Sequence, residues 1–236
     1  MTLTCLIIVP SVNSHTCESE IDHVNDWAVT NNLGLNQSKS LEMVITAPGI
    51  WGAKARTLPP PTLHAVERVS SLTMLGVTIN DKLSADEHVA DTIAACSKSL
   101  YALRVLRAHG MPTQALHSVY RATVLAKLLY CNQAWSGFCS AAARDRIDSF
   151  ISRSKRNGYC ADSVPQITEL FADSDNSLLK RVLSNANRTL HEMLPPLNNK
   201  HNYNLRKRPH NHQLPIKGNS LQQSNFIVRA LYAGVH

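Results

Sequence analysis

Between residues 68 and 110 the chain reads RVSSLTMLGVTINDKLSADEHVADTIAACSKSLYALRVLRAHG, and no other stretch limits its folding as strongly. Thr73, Leu75, Val77 and Ile79 alternate with Met74, Gly76, Thr78 and Asn80, a two-residue period that predicts a strand pair with one face buried. Asn80-Asp81 predicts the turn that ends it. Ser84-Ala85-Asp86-Glu87 is a capping-box pattern, in which the serine hydroxyl and the glutamate each take an orphan backbone N–H, so a helix is predicted from Ala85. Val89, Ile93, Cys96, Leu100 and Leu103 then fall on one stripe, with Lys98 on the far side. Arg104 and Arg107 lie where the helix dipole favours cations, and Gly110 supplies the stop.

Upstream, Leu6 to Val9, ending at Pro10, reads as a buried strand. Ser14 can cap a helix to about Asn32 that turns Cys17, Ile21, Val24, Trp27 and Ala28 inward and Glu18, Asp22 and Asp26 outward, with Gly34 as its stop. Leu41 to Ile45 gives a further strand, and residues 48–61, with three consecutive prolines, a solvated connector. Downstream, Pro112 opens a helix whose apolar residues, from Leu116 to Leu129, occupy more than one face and so imply burial between neighbours. Ser140 caps another, with Ile147, Phe150 and Ile151 inward, Arg144, Arg153, Lys155 and Arg156 outward, and Asn157-Gly158 closing it. Short helices are predicted around Gln166 to Ala172 and Ser177 to Met193. From Leu197 onward little packed structure is expected until Phe226 to Tyr232.

Charge distribution says more than the net value of +7. Residues 101–156 carry nine basic and two acidic side chains, and residues 197–236 six basic and none acidic, whereas residues 1–100 carry six and ten. A cationic middle and tail would attract a phosphate backbone; a solvated helix face with a basic tail is the plainer reading of the same numbers. Hydrophobic content of 44% with 17% charged residues belongs to a globular chain able to bury a core. The six cysteines are widely spaced without a CxxC pair, which fits a reduced intracellular setting, nuclear or cytoplasmic. Cys131, Cys139, Cys160 and His191 lack the tight spacing of a zinc site, so buried structural thiols are expected and no metal ligand is assigned. The apolar run from Cys5 to Val9 is too short to span a bilayer, so no membrane is expected as a partner.

The ordered motifs LxxLGVxINDxLSxxEHV and YALRVLRAHGM resemble the C-terminal half of LINE-type (non-LTR retrotransposon) reverse transcriptases. WAVTNNLGLNQSKSLEMVI upstream is similar to a late palm segment, LLYCNQAWSGF to the end of the thumb, and YNLRKRPHNHQLP with NFIVRALY to the end of such reading frames. The resemblance implies an α+β, mostly helical chain with a partial palm-like antiparallel sheet, a helical thumb bundle and a basic, poorly ordered C-terminal tail. Residues 1–83 would be partial palm, 84–158 thumb-like, 159–196 C-terminal helices and 197–236 the tail. Leu75, Gly76 and Val77 would match the primer-gripping hairpin, where a glycine lets a primer strand approach the backbone; a bulge or tight sheet contact is the structural reading of Gly76. Lys98, Arg144, Arg153, Lys155, Arg156, Arg206, Lys207 and Arg208 are the candidate contacts to an RNA/DNA duplex or other nucleic acid.

Polymerases of the family work with two Mg2+ ions held by clustered carboxylates. The resemblance places the aspartate turn of the family just before the first strand, where this chain has Thr2 and Leu3, and it places fingers and earlier palm before residue 1. Lys39 matches a lysine thought to protonate departing pyrophosphate, and it would be idle without metals. Glu18, Glu20, Asp22 and Asp26 have the spacing of a solvated helix face. The expectation is a truncated reverse transcriptase, inactive alone and without a cofactor in this chain. Two alternatives stand beside it: a nucleic-acid-binding thumb module without sequence preference, and a non-functional transposon relic.

Overall fold

The computed structural model describes residues 16–34, 36, 39–45, 62, 66–198 and 210–233. The strand predicted at Leu6 to Val9, the connector at 48–61 and the cations Arg206, Lys207 and Arg208 lie outside these residues. The chain divides between Leu83 and Ser84 into two compact units, and the described residues are mostly helical with small sheets, broadly α+β.

In the first unit α1 spans Thr16–Thr30 and turns Ala28 into the core. Trp27, expected inward, is 46% exposed. The residue that stops it is Asn32, not Gly34: Asn32 takes a left-handed φ of 55°, and the Leu33 and Asn32 N–H groups bond the Ala28 and Val29 carbonyls at 2.8 and 3.0 Å. Asparagine tolerates this backbone better than other side chains and so stands in for glycine. The strand expected over Leu41 to Ile45 shortens to β1 (Leu41–Glu42), which pairs in parallel with β2 (Glu67–Arg68). A two-pronged ion pair from Arg68 to Glu42, at 2.9 and 3.2 Å, reinforces the pairing.

β3 (Ser71–Met74) and β4 (Val77–Asn80) form an antiparallel hairpin in which Met74 faces Val77 and Leu72 faces Ile79. The connection is two residues long, Leu75 and Gly76, with φ of 49° and 80°, the pattern of a type I′ turn. That turn shifts the alternation predicted for residues 73–79 at its midpoint. The apolar face is Leu72, Met74, Val77 and Ile79, while Thr73 shares the other face with Thr78, hydroxyl to hydroxyl at 2.9 Å. Leu75 leaves the sheet and is 85% exposed at the tip.

The second unit is a helical assembly. α2 (Asp86–Ala108) begins one residue later than predicted, because the Ser84 hydroxyl accepts from the Asp86 N–H at 3.2 Å and Ala85 becomes the N-cap. Its inward stripe includes Val89, Cys96 and Leu103, with His88 and Thr92 added, and Gly110 at φ 85° closes it. α3 (Thr113–Tyr120) passes through a π-helical stretch, Arg121–Leu125, into α4 (Ala126–Leu128). The extra residue in the π turn keeps Leu116, Tyr120, Val124 and Leu128 all buried although they are spaced by four. α5 (Asn132–Trp135) and a 3-10 turn, Ser136–Phe138, lead to α6 (Ala141–Arg156), whose cap is Ser140 accepting from Ala143 at 3.1 Å.

Two hydrogen bonds tie the starts of α2 and α6 together: Ala85 N–H to Phe138 O at 3.1 Å and Ser140 N–H to Asp86 Oδ1 at 3.0 Å. At the other end the Arg107 guanidinium donates to Asn157 O at 2.6 Å and lies 4.4 Å from the Tyr159 ring centroid. The two helices therefore run parallel, with both C-termini at one end. Trp135 is buried between α2 and the next helix, edge-on to His88 at 5.0 Å and to Phe171 at 5.3 Å, with its indole N–H on Tyr130 O.

That next helix is α7 (Ile167–Leu183), a single 17-residue element where the sequence predicts two short ones. Its first turn is capped by Asp148 of α6, which accepts from the Ile167 N–H at 2.7 Å. The polar run Asp173 to Asn176 stays helical because Asp175 turns inward and finds a partner in Arg229. α8 (Thr189–Glu192), α9 (Ser220–Ser224) and α10 (Phe226–Tyr232) complete the unit. Ile227, Ala230 and Leu231 of α10 pack on Leu179 of α7 with Leu183, Leu194 and Leu214 around them. Phe226 to Tyr232 is the packed segment expected there; of the described residues before it His210 is buried and Leu214 joins the cluster, while most of 211–225 is exposed. His210 and His212 serve in the tail as hydrogen-bonding side chains, His210 to Leu231 O at 2.7 Å and His212 to Pro195 O at 2.6 Å.

Candidate nucleic-acid interface

Because α2 and α6 end together, their last turns gather cations. Arg107 comes from the last turn of α2, with Arg104 three residues before it, and Arg153, Lys155 and Arg156 come from α6. Gly158, at φ 73°, lets the chain turn sharply after α6 and brings Tyr159 under the Arg107 guanidinium. Arg121 belongs to the same neighbourhood, since its charge and that of Lys155 both act on the Cys160 thiol. Helix C-termini carry partial negative charge, so part of this positive field is offset by the ends it sits on. Asp162 offsets more of it: burial pushes the Cys160 thiol up, and the Asp162 carboxylate adds to that rise against the pull of the cations.

These cations divide by what they do. Lys155 is half-buried and donates to Val164 O at 2.5 Å and Asp162 O at 3.1 Å, which pins the loop between α6 and α7. Arg107 is held by Asn157 and Tyr159. Arg104, Arg153 and Arg156 are exposed and make no hydrogen bond or ion pair among the described residues. Of the α6 side chains expected to face phosphate, the structure leaves Arg153 and Arg156 available and places Lys155 in the fold. Arg144 is also drawn inward, donating to Cys139 O at 2.9 Å, and lies twelve residues, about 18 Å, before Arg156 on α6. Lys98 is exposed on the outward side of α2, away from the shared end.

In the first unit Lys39 is exposed, with its backbone N–H on Asn36 O at 3.1 Å. Leu75 and Gly76 form the hairpin tip and Val77 is buried. The glycine is thus a turn residue; the bulge or sheet contact read as its structural role is replaced by the left-handed φ the turn requires.

A second cationic centre does not show in the charge distribution. Arg229, alone among the apolar residues of α10, donates through Nε and Nη2 to Asp175 Oδ2 at 3.3 and 2.9 Å, through Nη1 to Ser224 O at 2.7 Å, and through Nη2 to Ser136 Oγ at 3.1 Å. Burial pushes the Asp175 carboxyl up, and the Arg229 guanidinium pulls the other way. Beside it, Gln133 donates to Ser174 Oγ, which in turn donates to Asn132 Oδ1 at 2.8 Å, linking α5 to α7. A side chain at Gly137 would collide with the Arg229 guanidinium and the Ser224 carbonyl. The signal in the sequence is the lone arginine in FIVRALY, since a charge on an otherwise apolar helix implies a buried partner.

Among the described thiols, three of the four are buried. Cys96 and Cys139 are buried, and burial holds them up at about 11 and about 12, so both are protonated at neutral pH. Cys131 is exposed, contrary to the expectation of buried thiols. Among the described residues no group of three or more His, Cys, Asp or Glu side chains converges, and no helix is long and apolar enough to cross a membrane. Compared with family models, curated proteins and solved structures, the chain matches none.

Proposed function

We propose that this chain corresponds to the end of the palm and the thumb of a LINE-type reverse transcriptase, and that it holds a nucleic-acid duplex without sequence preference. The observation that carries the proposal is the shared end of α2 and α6, where Arg104, Arg153 and Arg156 stand exposed and uncommitted while Arg107 and Lys155 fix the scaffold beneath them. Guanidinium groups offer phosphate oxygens a planar fork of donors, losing less side-chain entropy per bond than an ammonium does, and they read charge rather than base sequence.

The hairpin supports the same reading. Leu75 occupies a left-handed backbone position that costs a non-glycine residue about 1 kcal/mol, and it is presented to solvent. An exposed apolar tip held at that cost suits contact with a strand, which is the part the resemblance gives to Leu75, Gly76 and Val77. On this reading nucleotide transfer needs clustered Mg2+-binding carboxylates, and the resemblance matches none of them to a residue of this chain, so no extension by the chain alone is expected. The compartment is intracellular, nuclear or cytoplasmic, where such duplexes occur.

The test is titration of an RNA/DNA hybrid at several salt concentrations, with extension of a primed RNA template in Mg2+ as the companion assay. Affinity falling linearly on a log–log salt plot, with no extension, is expected. Salt-independent binding, or none, would place the chain with the transposon relics; measurable extension would overturn its inactivity.

A further inference from the structure

α2 is apolar on two sides. Its inward stripe, Val89, Cys96 and Leu103, is buried, as a helix in a bundle requires. The outward side should then be polar, as on most helices that lie half in solvent. Only part of it is: Ser97, Lys98 and Arg104 are exposed there, but Ala94, Tyr101, Ala102, Val105 and Ala108 are exposed among them, Tyr101 by 69%. A single exposed tyrosine is common on protein surfaces. Here it sits at the centre of an apolar strip, with Val105 one turn on and exposed as well.

The charges beside the strip indicate what covers it. Lys98 and Arg104 stand three residues before and three after Tyr101, so their stems leave the helix about 4.5 Å above and below it along the axis, one on each flank. Both are exposed, and neither has a partner among the described residues. From Thr92 to Ala108 the helix carries three cations and no acidic side chain. A protein partner matched to an apolar strip alone gains nothing from those flanking cations. A polyanion that also carries flat aromatic faces gains from both.

We propose that the outward face of α2 binds single-stranded nucleic acid, with Tyr101 as the platform on which an unpaired base stacks and with Lys98 and Arg104 on the phosphates either side. Aromatic rings interleaved with cations recognise single strands in this way, and they tolerate any base because every base has a π-face. A duplex cannot use the site, because its bases are already stacked. This site shares Arg104 with the duplex-binding cations and differs from them in Tyr101 and Lys98, so Tyr101 tests it separately from Arg153 and Arg156.

The experiment measures anisotropy of a labelled ten-nucleotide oligo-dT and, separately, of a blunt RNA/DNA hybrid, with the full chain and three variants. Tyr101→Ala is expected to weaken oligo-dT binding about 5- to 100-fold, the range for losing one stacked base, and to leave hybrid binding within twofold. Tyr101→Phe keeps the ring and is expected to bind oligo-dT as the parent does. Arg153→Ala/Arg156→Ala reverses the pattern, weakening the hybrid more than the oligonucleotide. Tyr101 is at the surface, so all the variants should fold, with circular dichroism as the check. Equal oligo-dT affinity for parent and Tyr101→Ala would overturn the proposal. So would a chain that self-associates through this face and loses only that association in the variant.

Discussion

Arg229 directs its N–H groups at Asp175, Ser224 and Ser136, whereas Arg153 and Arg156 make no bond within the described chain. The first arginine comes from an apolar helix and the other two from a helix whose last turn carries three basic residues. Composition would rank the last turn of α6 as the more important cationic feature for the fold, and the geometry reverses this. The half-buried Arg229 guanidinium is held by several acceptors, and its loss leaves a desolvated carboxylate behind. A surface guanidinium on a helix end contributes a few tenths of a kcal/mol and is free for other work. Net charge therefore says little about function until each cation has been placed.

The largest effects should come from the buried centre. Arg229→Met leaves Asp175 without its counter-charge and is expected to cost about 3 kcal/mol. Gly137→Ala, which drives a methyl group into the same guanidinium, should cost a similar amount. Urea denaturation measures both, and a loss under about 1 kcal/mol would show that the contrast with the surface arginines is false. Lys155→Met comes next. It removes two bonds to carbonyls and should cost about 2 kcal/mol in stability, with duplex binding unchanged in the fraction that remains folded.

Leu75→Asn works in the opposite direction. Asn-Gly suits a type I′ turn, so the hairpin amides should gain about 1 kcal/mol of hydrogen-exchange protection. Unchanged protection would remove the argument that Leu75 is held there at a cost.

The smallest effect is in pH. Burial against Trp135 pushes the His88 imidazole below its ordinary value of 6.5, with the Asp91 carboxylate pulling weakly the other way. Below pH 6.5 the unfolded chain takes up a proton that the folded chain refuses, so stability contributed by neutral His88 is full above that value and is lost as pH falls toward the lowered one. His88→Phe should flatten the stability profile below pH 6.5, the ordinary value of the imidazole; an identical profile would mean that His88 is solvated.

Much of the helical unit is legible in the sequence, because its signals are local. Ser140 as a cap, Ile147, Phe150 and Ile151 inward, and glycine stops at 110 and 158 follow from spacing and turn chemistry alone. What escapes is set by distant partners. Nothing near Asp175 indicates that an arginine 54 residues away will neutralise it and keep α7 whole. Lys155 reads as a surface cation until the loop carbonyls of Asp162 and Val164 fold back onto it. In the hairpin the difference is one of parity, since a two-residue turn inside an alternating run exchanges the faces of Thr73 and Met74. The candidate interface is legible as a charge excess; which of its members are available is not.

The most direct measurement of the central claim is the slope of log affinity against log salt for an RNA/DNA hybrid, in the parent and in Arg153→Ala/Arg156→Ala. If these two arginines neutralise phosphates, the slope should become shallower by about 1.8, close to 0.9 for each phosphate that is no longer neutralised, with folding stability within about 0.5 kcal/mol of the parent. An unchanged slope in a stably folded variant would contradict the account and return these cations to the solvent.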